Sequence, residues 1–113
     1  MENSAIEELI RYLQNKSYPP NFQKNEKRRL REKSESFQCL EGSLYHKGHG
    51  GKSQRVVTKD EVPALLSQMH ASVVGGCHFG QNATQSKIAD RFWWPTMTED
   101  IRVVFQLSYV NET

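Results

Sequence analysis

Ile6, Leu9, Ile10 and Leu13 recur at i, i+3, i+4 and i+7, which puts them on one stripe of a helix. Ser4 and Glu7 have the spacing of a capping box, and Pro19 and Pro20 stop the helix. A second helix is predicted over residues 22 to 34. It is charge-rich, with Leu30 as its main apolar contact and Glu26–Arg29 as a supporting pair. The pattern then changes period. Phe37, Cys39, Leu44, Tyr45, Val56 and Val57 are strand-type residues, separated by turn material at Gly42 and in "GHGG". They predict a small antiparallel sheet of two or three strands.

Helical periodicity returns at Val62, Leu65, Leu66 and Met69, with Asp60 as the expected N-cap and Glu61 and Pro63 in the first turn. Gly75 and Gly76 break this third helix. A fourth is predicted over residues 81 to 91, with Ile88 and Ala89 inward, "RFWW" at its end and Pro95 stopping it. Thr96 and Glu99 make another capping box, opening a fifth helix whose inner face reads Ile101, Val104, Phe105 and Ser108. A serine there is unexpected. Phe92, Trp93 and Trp94 read as core or cap residues rather than as base-stacking aromatics. Cys39 reads as a small buried hydrophobe. The fold class is α+β, mostly helical. Residues 1–58 are an extension of two helices and a β-hairpin, and residues 59–113 are a three-helix bundle.

Length and composition narrow this further. At 113 residues with 36% hydrophobic content, the chain is one domain or two small subdomains with a modest core. Such small cores often lean on a metal, a disulfide or a partner. The net charge of +2 conceals one basic segment, "KNEKRRLREK" at 24–33, with six basic and two acidic side chains. Lys24, Lys27, Arg28, Arg29, Arg31 and Lys33 are either a footprint for nucleic acid or an acidic partner, or a solvated helix face. Two cysteines make no disulfide framework. An acidic N-terminus excludes a signal peptide, and no run approaches the roughly 20 apolar residues of a membrane span. An intracellular chain in a reducing compartment, with free thiols and no membrane partner, is expected.

The candidate chemistry lies in "HASVVGGCHFG", residues 70–80. His70 and His78 flank a Gly-Gly turn that lets the backbone fold back, so both imidazoles can reach one ion, with Cys77 as a surrogate third ligand. Without more, such a pair is more often a polar contact or an exposed loop than a zinc site. His46 and His49 read as solvated loop histidines.

The surroundings of this pair resemble the His-His-Cys-Cys zinc-binding domain at the N-terminus of integrases from gypsy-type retrotransposons and related retroelements. The matching features are His70, Gly75, Gly76, His78, Gly80, Thr84, Ile88, Phe92, Trp93, Trp94, Pro95, Asp100 and Ile101. Upstream, "YLQNKSYPP", "KRRLREKSESF" and "LEGSLYHK" resemble the extension that precedes that domain. The resemblance implies a Cys-x-x-Cys pair in the last helix to complete the zinc, at the positions occupied by Ser108 and Asn111. Neither is a cysteine, so zinc is expected to bind weakly or not at all. The poorly matching tail from Val103 onward suggests a truncated or alternatively spliced copy. The carboxylate catalytic domain of integrases has no counterpart, so a non-catalytic module is expected. The resemblance implies self-association and contact with DNA ends; the basic helix is the expected footprint for DNA or RNA, and a nuclear rather than cytoplasmic location is expected. The alternatives are a protein-interaction module without nucleic-acid binding and a functionless element remnant.

Overall fold

The computed structural model describes residues 1–74 and 80–111, with side chains described at 1–71 and 80–107. Helix α1 (Asn3–Asn15) and helix α2 (Lys24–Ser34) lead into strands β1 (Phe37–Leu40), β2 (Ser43–Lys47) and β3 (Ser53–Val56). Helices α3 (Val62–Val74) and α4 (Gln81–Ala89) follow, then strand β4 (Phe92–Trp93) and helix α5 (Met97–Asn111). The sheet order is β1-β2-β3-β4. The first two pairings are antiparallel, and β4 lies parallel to β3. Mostly helical α+β is therefore the observed class.

The apolar stripes behave as their spacing requires. Leu9 of α1 packs with Tyr12, Leu30, Phe37, Leu44 and Val56 into one buried cluster. Met69 of α3 packs with Val57, Trp94, Met97, Ile101, Val104 and Phe105 into a second. Trp93 packs against both, so it joins the helix-and-sheet layer to the helical layer.

Several helix starts differ from their predicted positions, each for a local reason. Helix α1 begins at Asn3 with Glu2 at its N-cap and no side-chain cap bond, so Ser4 and Glu7 form no capping box. The chain end is tied down instead. The Met1 amine donates to the Val57 carbonyl at 2.9 Å, the Lys59 N–H donates to the Met1 carbonyl at 2.8 Å, and the Lys59 ammonium sits 3.1 Å from the Glu2 carboxylate. Lys16 closes the same helix in a left-handed conformation (φ 54°), its N–H donating to the Tyr12 carbonyl at 2.7 Å. Helix α2 carries its own capping box, Gln23 with Glu26, and its ion pair is Arg28–Glu32 at 3.9 Å rather than Glu26–Arg29.

The cap of α3 is Thr58, not Asp60. The Thr58 N–H donates to Glu61 Oε1 at 3.0 Å and the Glu61 N–H donates to Thr58 Oγ1 at 3.2 Å. "TKDE" is a T-x-x-E box, which satisfies two otherwise orphaned donors. Arg55 Nη2 lies 3.1 Å from Glu61 Oε2. Arg55 first, and then the Thr58 N–H, hold the Glu61 carboxyl below its ordinary 4.5. A carboxyl whose folded pKa is depressed contributes stability above its unfolded pKa and loses it as pH falls through the folded value. Glu61→Gln is therefore expected to lower stability above about pH 5, with the gap from the parent closing as urea titrations move below about pH 4. A gap that widens on acidification would contradict this role.

The aromatic run departs furthest from expectation. Helix α4 stops at Ala89, and Phe92 and Trp93 leave it to form β4, opposite Arg55 and Val56. The Arg55 N–H donates to the Arg91 carbonyl at 2.7 Å and the Val57 N–H to the Trp93 carbonyl at 2.8 Å. These bonds cover the open side of β3. Trp94 is buried, and its indole N–H donates to Asp100 Oδ2 at 2.9 Å. The same carboxylate accepts from Thr96 Oγ1 at 2.8 Å. The carboxylate at the start of α5 that meets Thr96 is therefore Asp100, through side-chain donors rather than a backbone N–H, and Glu99 pairs with Arg102 instead.

Glu41 (φ 50°) and Gly42 (φ 80°) form the two-residue β1–β2 turn. Positive φ at both central positions gives the twist that a tight hairpin needs. After β2, a Cβ on Gly48 would meet Gln54 Oε1 at 2.9 Å. Gln54 is buried, and it bridges the sheet to α4: its Oε1 lies 2.8 Å from His46 Nδ1, and its Nε2 donates to the Ala89 carbonyl at 2.6 Å. Glycine at 48 leaves room for that amide.

Candidate functional site

Five positions were expected to bear on a metal. His70 is half-buried on α3, one residue after the buried Met69. Helix α3 packs on α5 through Met69, Ile101, Val104 and Phe105. The helix bearing His70 therefore lies against the helix that carries positions 108 and 111. Cys77 and His78 lie outside the described residues, as do the side chains of Ser108 and Asn111. Among the described residues, no group of three or more His, Cys, Asp or Glu side chains could hold a metal ion.

The four implied places hold two imidazoles, one hydroxyl and one carboxamide. Structural zinc is almost always four-coordinate, and thiolates neutralise much of its charge. A serine hydroxyl and an asparagine carboxamide are neutral hard donors and do neither well. This donor set does not fit a tight structural zinc.

The basic segment folds as predicted into α2, but its cations do not share one face. Leu30 and Ser34 point inward. At helical spacing, Lys24, Lys27, Arg28 and Arg31 fall on one side of that buried line, and Arg29 and Lys33 fall on the other. The side-chain partners agree with this division. The Lys27 ammonium lies 5.4 Å from the Tyr18 ring centroid, and Arg31 Nη1 donates to Tyr18 Oη at 3.2 Å. Arg31, by that hydrogen bond, holds the Tyr18 hydroxyl below its ordinary pKa. Arg29 and Lys33 instead line a shallow groove of about 210 Å³ between α1 and α2, together with Glu8, Glu26 and Phe22. Lys24 and Arg28 are exposed on the first side.

Sequence reasoning missed a second concave feature. A cleft of about 450 Å³ opens where the β2–β3 loop, β4 and the first turn of α5 meet. His46, Lys47, His49, Gln85, Trp93 and Thr98 are among its lining residues. The His46 and Trp93 rings stack 4.1 Å apart at an interplanar angle of 4°. The two histidines were visible in sequence, but nothing there placed them beside a tryptophan far along the chain. His46 and Trp93 meet only because β4 pairs with β3.

Residues 57–106 match the family model for the integrase zinc binding domain. The match ends just short of Ser108. The chain is 23% identical over 99 residues to the Gypsy retrotransposon integrase-like protein 1 of Pongo abelii, which covers 86% of this chain and 19% of that protein. The chain thus spans about a fifth of the length of that relative. No solved structure matches.

Proposed function

We propose, from the premise that residues 57–106 form an integrase-type zinc-binding domain, that the chain is a non-catalytic, nucleic-acid-associated module whose zinc site is degenerate. The observation that carries this reading is the exposed row of cations on α2, set on a chain that otherwise has nine basic and eleven acidic residues. A basic row of this kind neutralises phosphates and releases their counterions. Binding is then sequence-independent and weakens steeply with salt. The four-residue side, Lys24, Lys27, Arg28 and Arg31, is the footprint; Arg29 and Lys33 share their groove with Glu8 of α1 and with Glu26 of their own helix and contribute less.

The module does no chemistry on its substrate in this reading. The similarity covers the zinc-binding domain and not the carboxylate domain that joins DNA ends. No helix among the described residues is long and apolar enough to cross a membrane. A nuclear location follows from the DNA-directed reading and is part of the proposal.

The test is fluorescence anisotropy with labelled duplex DNA across a salt series. Lys24→Gln with Arg28→Gln is expected to weaken binding and to reduce the magnitude of the log K against log salt slope by about 2, one for each phosphate that is no longer neutralised. Arg29→Gln with Lys33→Gln should move it by less. Affinity and slope untouched by Lys24→Gln with Arg28→Gln would overturn the assignment.

One observation favours a second reading. Val103 and Leu107 stand one helical turn apart on α5, 39% and 56% exposed. An apolar pair on the outer side of that helix suits a protein partner or a second copy. Concentration-dependent sedimentation without DNA binding would select this alternative.

A further inference from the structure

Two tyrosines at the junction of α1 and α2 arrange cations that come from both helices. Tyr18 precedes Pro19, which limits its backbone to extended conformations. Its ring lies 5.2 Å from the ring of Tyr12, at an interplanar angle of 45°, and Tyr12 is buried on α1. Each ring carries a cation. The Lys16 ammonium lies 4.9 Å from the Tyr12 centroid, and the Lys27 ammonium 5.4 Å from the Tyr18 centroid. Arg31 Nη1 donates to Tyr18 Oη at 3.2 Å. Lys16 closes α1, while Lys27 and Arg31 stand one turn apart on α2. The ring pair therefore gathers charges that the chain keeps well apart.

The gathered cations have no counter-charge of their own. Among the described residues, neither Lys16, Lys27 nor Arg31 is in an ion pair. The Glu32 carboxylate that acts on Arg31 lies 3.9 Å from Arg28. Lys16 and Arg31 are exposed and Lys27 is half-buried. Arg31 commits one N–H to Tyr18 and keeps the rest of its fork, and a cation held over a ring face keeps its N–H donors. The Tyr18 hydroxyl accepts from Arg31 and retains its own proton to donate. Arg31, Tyr12 and Lys27 hold that hydroxyl below its ordinary pKa, and a more acidic hydroxyl is a stronger donor. Convergent donors without a carboxylate suit an oxyanion.

We propose that Lys16, Lys27, Arg31 and the Tyr18 hydroxyl form a clamp for one backbone phosphate of a nucleic acid, so that the footprint on α2 continues onto the end of α1. The clamp rests on the nucleic-acid reading above, but Lys16 and Tyr18 have no part in that reading, so the two can fail separately. Charge count and arrangement leave different traces. The number of phosphates neutralised sets the salt slope, whereas a donor held in place adds affinity without altering it.

The full chain is titrated against labelled duplex DNA by fluorescence anisotropy across a salt series. Lys16→Gln is expected to weaken binding and to reduce the magnitude of the log K against log salt slope by about 1. Lys16→Arg should restore both. Tyr18→Phe keeps the ring and every cation. It should weaken binding by about two- to tenfold, the loss of one hydrogen-bonding group, and leave the slope unchanged. Lys47→Gln, the same loss of charge on β2, should not move the slope. Loss of the Lys24→Gln with Arg28→Gln effect, beside intact effects at Lys16 and Tyr18, would strike the row on α2 and leave the clamp. Affinity and slope untouched by Lys16→Gln and by Tyr18→Phe would overturn the clamp and leave the row. An effect of Lys47→Gln equal to that of Lys16→Gln would overturn the clamp as well. So would a polyglutamate peptide that binds as tightly as the duplex with the same dependence on Lys16 and Tyr18.

Discussion

Ser108→Cys with Asn111→Cys is expected to convert the chain from one that holds far less than one tight zinc into one that carries zinc stoichiometrically. The two positions lie three residues apart on α5, the spacing of the Cys-x-x-Cys pair that the family resemblance implies. Two thiolates would join His70 and His78 to give the four-coordinate donor set of structural zinc. In small zinc domains the metal's binding free energy is also folding free energy, about 10–16 kcal/mol in zinc-finger peptides. Only the part of this that exceeds binding to the unfolded chain emerges as stability. Free zinc at about a thousand times its dissociation constant would add about 4 kcal/mol. The double variant should therefore melt well above the parent, and a chelator should remove that gain. Metal content after dialysis and melting with and without chelator measure both effects. Stoichiometric, chelator-resistant zinc in the parent chain would overturn the reading of a degenerate site.

Trp94→Ala is expected to cost about 3–5 kcal/mol, the range for removing a large buried aromatic. The ring is 2% exposed and packs with Val57, Met69, Met97, Ile101, Val104 and Phe105. A domain of this size has about 5–15 kcal/mol in total, so this one substitution removes a large share. Asp100 also loses the indole N–H that it accepts at 2.9 Å. Trp94→Phe separates the two effects. It keeps much of the apolar volume and loses the hydrogen bond, and it leaves Asp100 bonded to Thr96. Its expected cost is nearer about 1.5–3 kcal/mol, mostly that of one hydrogen bond to a charged group. Urea titration of the three proteins gives the comparison. Equal stability of Trp94→Ala and Trp94→Phe would show that packing of this ring contributes little.

The helices were legible because their signal is repeated. Each apolar stripe offers four positions, and Leu9, Met69, Ile101, Val104 and Phe105 are all buried as the stripes require. Their starts were less legible because the chain contains several cap patterns that compete. Ser4–Glu7, Thr58–Glu61 and Thr96–Glu99 all satisfy the same S/T-x-x-E rule. Of these three, Thr58–Glu61 alone forms the reciprocal pair. The N-terminal anchor on Val57 and Lys59 decides the first case and Asp100 decides the third, and neither is a local property. Strand β4 was not legible at all. Two residues carry no period, and "RFWW" before a proline fits a helix end as well as a strand. The charge of the basic segment was plain from composition, but its division between two sides needs Leu30 and Ser34 as the buried reference line. Among the metal positions, the sequence shows the donor types directly, and the structure places the helices that carry three of them.

The pairing of β4 with β3 also bears on the order in which the chain folds. Strand β3 has two neighbours at very different distances along the chain. It meets β2 through a short loop, but meets β4 only after the chain has passed through α3 and α4. The entropy lost on closing a loop rises with its length, and pairings of high sequence separation slow folding. The β1–β2–β3 meander can therefore assemble early, with the amides of Arg55 and Val57 still open to solvent. They gain protection only when Arg91 and Trp93 arrive to accept from them. Pulsed hydrogen exchange during refolding should find these two amides protected later than those between β1 and β2. Trp93 docks in the same step, so the last strand to join is the one that fastens the two apolar clusters to each other.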